Sequence, residues 1–444
     1  MKTKTGKTLI PRLRFPEFQN NGEWEVKRLG DIGETINGLT NKSANDFGKG
    51  SPFITYLQVY EDSMVNLDKC GLVNIELNEK QNTIHKGDIL ITTSSETPDE
   101  VGFASVMLNE PAQDTYLNSF CFCLRPYKNA NLLPEFSRYL FRSNLYRTQI
   151  NKISQGSTRF NLSKQSFLKV LLSLPSLPEQ QKIASCLSSL DEVIAGERQR
   201  LELLKAHKKG LLQNLFPQEG ETLPKLRFPE FKDSGEWVLI KLIDTADSKI
   251  KWSITGGPFG SNLKAEDYTK YGIRIIQLQN IGDGKFIDDY KIYTSEEKAN
   301  ELLSCNIYSG EIIISKMGDP VGRACIIPKH LERCIMASDG IRLVVDEKRF
   351  SKYFIYSLIN SKQIREAIER NSIGSTRKRI GLDELKKIKL PIPIKLEEQQ
   401  KIASCLSSLD DVIQAQQQKI ELLEQHKKGL LQGLFPNVND GDNG

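Results

Sequence analysis

Two segments of the chain carry side chains suited to binding a phosphate group. The sequence reads GSTR at 156–159 and again at 374–377. A glycine lets the backbone approach an anion closely, the two hydroxyls donate hydrogen bonds, and the arginine fork matches two phosphate oxygens. Such a loop is usually only a turn, and the basic run at 377–379 could be a solvated surface, but recurrence favours a binding role. The candidate phosphate ligands are Ser157, Thr158, Arg159, Ser375, Thr376, Arg377 and Lys378.

Two polar loops, each after a β-branched run, are candidates for contacting bases. The segments GDILITTSS (87–95) and GEIIISKMG (310–318) share a Gly-acid turn, a strand pattern and a polar loop. The loops differ while their flanks agree, as expected of one scaffold that reads two ligands. The candidates are Thr92, Thr93, Ser94, Ser95, Ser315 and Lys316. The segment GGPFGSNLK (256–264) adds Ser261 and Lys264 as candidates near a phosphate backbone.

Catalytic signatures are missing from the sequence. TGKT at 5–8 lacks the leading glycine and the strand of a P-loop, and PDE at 98–100 lacks the E-x-K of a nuclease core. There is no Asn-Pro-Pro-aromatic or G-x-G-x-x-G motif. Four histidines, and eight cysteines without a C-x-x-C pair, argue against a zinc site and against acid–base catalysis. We predict a binding protein with no catalytic residue, metal or cofactor of its own.

Composition is compatible with a nucleic-acid partner without requiring one. The 444 residues are enough for two or three domains, and 61 basic against 56 acidic residues give a formal charge of +5. No apolar run approaches the roughly 18 residues of a membrane span, and no apolar segment follows the basic N-terminus. We expect a cytoplasmic protein with reduced cysteines and no membrane partner.

The chain contains one layout twice. LRFPEFQNNGEW (13–24) returns as LRFPEFKDSGEW (226–237), and the EQQKIASCLSSLD of residues 179–191 returns at 398–410. A long repeat present only twice indicates a duplicated domain pair. The predicted segments are a leading segment 1–30, a variable domain 31–177, a helix 178–217, a linker with the second leading segment 218–243, a variable domain 244–396, a helix 397–436 and a flexible tail 437–444.

The two helical segments have apolar residues at a strict 4-3 spacing. A period of 3.5 residues is typical of a coiled-coil seam. The seam positions are Ile183, Leu187, Leu190, Ile194, Glu197, Leu201, Leu204, Lys208, Leu211 and Leu215, and then Ile402, Leu406, Leu409, Ile413, Gln416, Ile420, Leu423, Lys427, Leu430 and Leu434. Two such helices in one chain are natural partners. The alternative is that each helix packs on the domain of its own half.

The expected fold class is α+β. Two α+β domains would be joined by two long helices forming an antiparallel coiled coil, with pseudo-two-fold internal symmetry. Polar positions outside the seam are repeated as well, which suggests a surface presented twice to another molecule. Recent duplication is the alternative explanation. The candidate partner-binding residues are Gln180, Gln181, Lys182, His207, Lys208, Gln399, Gln400, Lys401, His426 and Lys427.

In this order, these motifs closely resemble the specificity subunit of type I restriction–modification systems. The resemblance spans essentially the whole chain and depends on the leading segments, on GGPFGSNLK, on GSTR with EQQKIA, and on the HKKGLLQ–LFP helix ends. It implies two target-recognition domains (31–177 and 244–396) that each read one half of a bipartite double-stranded DNA site. It also implies that the helices set the gap between the half-sites and dock two methyltransferase subunits.

The resemblance places catalysis in partner subunits. Methyltransferase subunits would use S-adenosylmethionine to methylate adenine, and a motor/nuclease subunit would use ATP and Mg²⁺. The first variable domain opens with NGLTNKS (37–43) instead of a GPFGS-like start, so the two half-sites should differ. Two other classes remain as alternatives: a non-catalytic scaffold that binds proteins rather than DNA, and an enzyme of unfamiliar design.

Overall fold

The protein divides into two compact units, and the division falls within both long helices. The computed structural model describes residues 10–97, 100–154, 156, 159–374 and 377–436. Unit 1 comprises residues 1–198 and 418–444, and unit 2 comprises residues 199–417. Each long helix therefore gives its first half to one unit and its second half to the other.

Unit 1 is built on a four-stranded antiparallel sheet with a smaller mixed sheet beside it. The order of the first sheet, within the described residues, is β2-β9-β5-β7, and that of the second is β4-β3-β8, in which β3 and β8 are parallel. The elements are β1 Glu25–Arg28, α1 Leu29–Ile32, β2 Gly33–Asn37, β3 Phe47–Ile54, α2 Tyr56–Glu61, β4 Gly71–Val73, β5 Ile89–Thr92, β6 Ser94–Ser95, β7 Ala104–Val106, β8 Tyr116–Leu117, β9 Cys121–Pro126, α3 Pro134–Leu140, α4 Asn144–Ile153, β10 Phe160–Asn161, α5 Lys164–Leu168, β11 Leu171–Leu174 and α6 Leu177–Asn214.

Unit 2 repeats this plan. Its described strands form a four-stranded antiparallel sheet of order β13-β21-β18-β19 and a mixed sheet of order β14-β16-β15-β20-β17, in which β15 and β20 are parallel. The elements are β12 Val238–Lys241, β13 Ile254–Gly256, β14 Tyr268–Thr269, β15 Ile273–Ile276, β16 Ile292–Thr294, α7 Glu296–Glu301, β17 Asn306–Tyr308, β18 Ile312–Ser315, β19 Ala324–Ile326, β20 Arg333–Met336, β21 Gly340–Leu343, α8 Lys352–Ile359, α9 Lys362–Arg370, α10 Leu382–Lys387, β22 Lys389–Ile392 and α11 Leu396–Leu434.

The core of each unit includes an aromatic ring from the far end of the other repeat's helix. In unit 1, Trp24 packs edge-on against Phe435, with ring centroids 6.1 Å apart, and Phe435 follows the end of α11. In unit 2, Trp237 packs against Phe216, 6.5 Å away, and Phe216 follows the end of α6. The repeated LFP sequence is therefore core, which gives its recurrence an internal reason.

Within each unit, α6 and α11 run antiparallel. In unit 1, Glu197 pairs with Lys419 at 2.5 Å and Asp191 pairs with Lys427, so the partner number rises as the α6 number falls. In unit 2, Lys208 of α6 pairs with Asp410 of α11. Every predicted seam position is buried or half-buried, which is what a sustained 3.5-residue period requires.

The alternative, in which each helix packs on the domain of its own half, is also partly right. Ile183 and Leu187, near the start of α6, lie in the core of unit 1, and Ile402 and Leu406 of α11 lie in the core of unit 2. Each helix thus begins on the domain of its own half and ends in the core of the other unit.

The leading segments are fixed by a buried ion pair at the start of each long helix. In unit 1, Arg14 donates from Nε and Nη2 to the two oxygens of Glu179, both at 2.8 Å, and the Trp24 indole donates to the same carboxylate. In unit 2, Arg227 and Trp237 make the same contacts with Glu398. The recurrence of LRFPEF and GEW follows from this shared contact.

The predicted fold class is confirmed by two α+β units with equivalent sheets and an antiparallel pairing of the long helices in each. Among the described residues, none of the helices combines the length and the apolar character that crossing a membrane requires.

Candidate nucleic-acid interface

Three loops of unit 1 meet at the end of the central strand β5. Strand β10, directly after Arg159, pairs antiparallel with β6, so that Asn161 faces Ser94. The backbone N–H of Thr93 donates to the carbonyl of Phe120 at 2.9 Å, which brings in the turn before β9. The segment predicted to bind phosphate and the segment predicted to read bases are therefore neighbours.

Arg159 links these two segments directly. Its Nε donates to the Ser94 hydroxyl at 2.7 Å, and its guanidinium lies 5.3 Å from the centre of the exposed Phe120 ring. Both contacts are with uncharged groups, and Arg159 is exposed. The guanidinium is thus held in place while its positive charge can still attract an anion.

Two predicted base contacts in unit 1 have their hydroxyls buried and hydrogen-bonded inside the unit. Thr92 is buried, and its hydroxyl donates to the carbonyl of Glu100 and accepts from the N–H of Phe103. Ser95 is also buried, with its hydroxyl donating to the Glu100 carboxylate at 2.6 Å. Both hydroxyls are used inside the unit because they lie in or beside the central sheet. Ser94 is buried as well and accepts from Arg159. Thr93 is half-buried, with its hydroxyl donating to the carbonyl of Phe120 at 2.7 Å.

The same loop arrangement occurs in unit 2 with different side chains. The N–H of Lys316 donates to the carbonyl of Asp339 at 2.7 Å, and the N–H of Ile380 donates to the carbonyl of Lys316 at 2.9 Å. Lys316 therefore stands where unit 1 has Thr93, and Asp339 stands where unit 1 has Phe120. Ser315, also predicted as a base contact, is completely buried, which does not favour that role.

The basic residues beside this loop are partly neutralised. Arg377 is exposed, Lys378 pairs with Glu369, and Arg379 lies 3.7 Å from Asp339. These partners are themselves at least partly exposed, so the pairs are weak and can exchange for a stronger anion.

The glycine of each GSTR sequence is required by the turn. Gly156 has φ +152°, and a Cβ there would lie 2.0 Å from the carbonyl oxygen of Arg159. Gly374 has φ +104°, in the region that favours glycine. The remaining candidates in these loops lie outside the described residues: Ser157, Thr158, Ser375 and Thr376.

The two candidates in GGPFGSNLK are at the surface of unit 2. Ser261 is exposed and its hydroxyl lies 3.2 Å from the amide oxygen of Asn262. Lys264 is exposed and lies 3.4 Å from Glu266. Their assignment to a phosphate backbone stays a prediction.

Two predicted partner-binding residues are buried, which does not favour contact with another subunit. Gln180 accepts a hydrogen bond from the N–H of Leu133 and donates to the carbonyls of Asn131 and Pro175. Gln399 accepts from the N–H of Ser351 at 3.0 Å and donates to a carbonyl in the same way. These glutamines recur because each joins a helix start to its own domain.

Two predicted partner-binding lysines are used within the units. In unit 1, Lys427 and the Tyr139 hydroxyl both contact Asp191. In unit 2, Lys208 and the Tyr353 hydroxyl both contact Asp410. Burial raises the pKa of both tyrosines well above the usual range. The other partner candidates are exposed: Gln181, Lys182, His207, Gln400, Lys401 and His426.

Sequence analysis missed the residues that join the helices to the domain inside each unit. Besides the buried Arg–Glu pairs, these are Tyr139, Asp191, Tyr353 and Asp410. The recurrence of chemically complementary residues in both halves could have indicated these contacts. A buried pair within each unit is repeated in the sequence just as a binding surface is. Among the described residues, no cluster of histidine, cysteine, aspartate or glutamate could hold a metal ion.

The two units thus carry equivalent loop clusters with different side chains. The family model for the type I restriction modification DNA specificity domain matches residues 21–206 and again residues 260–425. The chain belongs to this family, and its role is accordingly recognition of DNA as a non-catalytic specificity subunit.

The similarity to relatives extends along the chain. The MjaVIII type I restriction enzyme specificity subunit of Methanocaldococcus jannaschii is 23% identical over 439 residues, covering 95% of this chain and 93% of the other. The EcoKI specificity subunit of Escherichia coli is 26% identical and covers 57% of each chain. The solved specificity subunit from M. genitalium has a TM-score of 0.53 at 16% identity, covering 97% of this chain and 100% of the other. A chain from a type I R-M assembly has a TM-score of 0.59 at 17% identity, covering 93% and 97%.

Proposed function

We propose that each unit reads one half of a bipartite site in double-stranded DNA. The observation that carries this proposal is the shared loop cluster with different side chains: Thr93 beside Phe120 in unit 1, and Lys316 beside Asp339 in unit 2. Equivalent backbones with dissimilar polar groups suit a protein that must read two different base sequences. The target-recognition domains are residues 31–177 and 244–396.

Arginine and hydroxyl groups of the GSTR loops bind phosphates in this proposal. Arg159 and Arg377 make the main contacts, supported by Ser157, Thr158, Ser375, Thr376, Lys378, Ser261 and Lys264. Thr93 and Lys316 lie toward the base edges. Ser94 is buried, and its part is to position Arg159, from which its hydroxyl accepts a hydrogen bond.

The paired helices set the gap between the half-sites and dock two methyltransferase subunits. The exposed helix residues Gln181, Lys182, His207, Gln400, Lys401 and His426 provide this surface. A motor/nuclease subunit joins through the complex, and S-adenosylmethionine, ATP and Mg²⁺ act in the partner subunits. The assembly works in the cytoplasm, where its DNA is.

Exchange of one domain tests the modular reading of DNA. The full chain is purified with its methyltransferase subunits, and its site is read from the adenines that become methylated. Replacing residues 31–177 with the domain of a relative should change one half-site and leave the other half-site and the gap unchanged. Replacing residues 244–396 is the matched control and should change only the other half-site. An exchange that leaves both half-sites unchanged would contradict the proposal.

Two substitutions in unit 2 separate phosphate contacts from base contacts. Arg377→Ala should weaken binding to specific and unrelated duplexes alike and lower the salt slope by about one. Lys316→Ala should relax the choice of base at one position and leave binding to unrelated duplexes nearly unchanged. Titration of both duplexes at several salt concentrations checks this, and identical behaviour of the two variants would contradict the assignment.

A further inference from the structure

One loop of unit 2 holds an aromatic ring in solvent. Phe259 is 82% exposed, although the neighbouring Leu263 is only 8% exposed and Pro258 is also buried. The N–H of Asn262 donates to the carbonyl of Phe259 at 2.8 Å and closes a turn. The ring is therefore the tip of an ordered loop whose flanks are packed into the unit.

The base of this loop is fixed against the turn before β21. The N–H of Gly257 donates to the carbonyl of Gly340 at 2.8 Å. A Cβ on Gly257 would lie 1.8 Å from the carbonyl oxygen of Ala337, so only glycine allows this approach. The loop position is set by backbone contacts, which leaves the side chain at the tip free to vary.

Unit 1 has the same anchored loop with a different tip. A Cβ on Gly38 would lie 2.2 Å from the carbonyl oxygen of Asn118, and the N–H of Leu39 donates to the carbonyl of Leu117 at 2.7 Å. The next residue, Thr40, occupies the position of Phe259 and is hydrogen-bonded to Gln81. At this loop position, therefore, unit 2 has an exposed ring and unit 1 has a threonine.

Two basic side chains lie on the same hollow as Phe259. The ring borders a hollow of about 810 Å³ that is also lined by Lys316 and Arg379. An exposed aromatic ring is unfavourable in water but stacks well on bases. Basic groups attract a polyanion, and apolar rings held beside them enter base steps in DNA-bending proteins.

We propose that Phe259 is a wedge that enters a base step of the half-site read by unit 2. This inference rests on the proposed reading of DNA and adds a deformation of the duplex to it. Partial unstacking at that step favours flexible sequences there, so the ring contributes to specificity without a hydrogen bond to a base.

The test uses the full chain and duplexes that carry its selected site. The site is obtained by selection from randomised duplexes, and its unit-2 half is the one altered by exchange of residues 244–396. Single 2-aminopurine substitutions along that half report unstacking as a rise in fluorescence. We expect a rise at one step with the wild-type chain, none with Phe259→Ala, and recovery with Phe259→Trp. The alanine variant should bind the site at least about fivefold more weakly, with an unchanged salt slope.

Leu239→Ala is the matched control, because Leu239 is 61% exposed on β12 of the same unit and lies outside this loop. It should bind and unstack DNA as the wild type does. If the wild-type chain selects a site and Phe259→Ala gives the same affinity and the same fluorescence rise, the wedge is overturned while the DNA-reading function stands. If the wild-type chain selects no site, either alone or with its methyltransferase subunits, the proposed function fails and the wedge fails with it.

Discussion

Arg227 forms a bidentate ion pair with Glu398, in which its Nε and Nη2 atoms lie 2.7 and 2.8 Å from the two carboxylate oxygens. Their side chains are 9% and 1% exposed. The pair joins a leading segment to the first turn of α11, and Arg14 with Glu179 does the same at the start of α6. The helix starts are thereby tied to chain segments that are distant in sequence.

Removing one member of this pair should destabilise the protein. Arg227→Ala leaves the Glu398 carboxylate buried without its charged partner, and a cost of about 3–5 kcal/mol in the free energy of unfolding is expected. Urea unfolding of the full chain measures this. Lys401→Ala is the control, because its pair with Glu230 is about half exposed and should cost less than about 1 kcal/mol. Similar losses for the two variants would contradict the structural role of Arg227.

Two adjacent glutamines should behave differently. Gln399 is buried and hydrogen-bonded to its own domain, so Gln399→Ala should lower the free energy of unfolding by about 1–3 kcal/mol. Gln400 is exposed, so Gln400→Ala should leave stability unchanged and weaken copurification with the methyltransferase subunits. Reversal of this pattern would restore Gln399 as a partner-binding residue.

The hydroxyl of Tyr353 should stabilise unit 2 through Asp410. Tyr353→Phe removes a hydrogen bond to a carboxylate and should cost about 1.5–3 kcal/mol. Tyr139→Phe removes the equivalent bond in unit 1 and should cost a similar amount. Tyr290→Phe, at an exposed position, is the control. Differential scanning calorimetry measures the three variants, and three equal melting temperatures would contradict a role for these bonds.

The same tyrosine predicts a loss of stability at alkaline pH. Burial, and then the hydrogen bond to Asp410, raise the pKa of Tyr353 above its ordinary value of 10.0. The folded protein therefore keeps the phenol proton after the unfolded chain has begun to lose it. The stabilisation is complete below pH 10 and decreases as the pH rises from there toward the raised pKa. Unfolding free energies measured between pH 8 and 11 should fall less steeply above pH 10 for Tyr353→Phe than for the wild type.

Lengthening the helix pair should widen the gap between the half-sites. Insertion of one heptad within 195–201, together with one within 414–420, keeps the seam in phase and adds about 10 Å to each helix. The spacing of methylated adenines should increase by one or more base pairs. A control insertion in the 437–444 tail should not change the spacing. An unchanged gap after the heptad insertions would contradict the proposal that the helices set it.

The sequence pattern predicted the secondary-structure elements better than it predicted which residues pack against them. The 3.5-residue spacing identified the seam because local periodicity reports which face of a helix is buried. It did not reveal that Phe216 and Phe435, which follow the helix ends, pack into the core of a unit. Phe216 packs in unit 2 and Phe435 packs in unit 1. Thr92 and Ser315 follow β-branched runs and were predicted as loop residues, but each lies at the buried end of a central strand.

The sequence by itself determined the duplication, the helical seams, the α+β class and the family, because each is a repeated or periodic local pattern. Tertiary structure decided which repeated polar residues are available to partners. Gln180 and Gln181 are adjacent and both recur, yet the first is hydrogen-bonded inside unit 1 and the second is exposed. Burial depends on which distant segments pack against a side chain, and a single sequence does not specify those contacts.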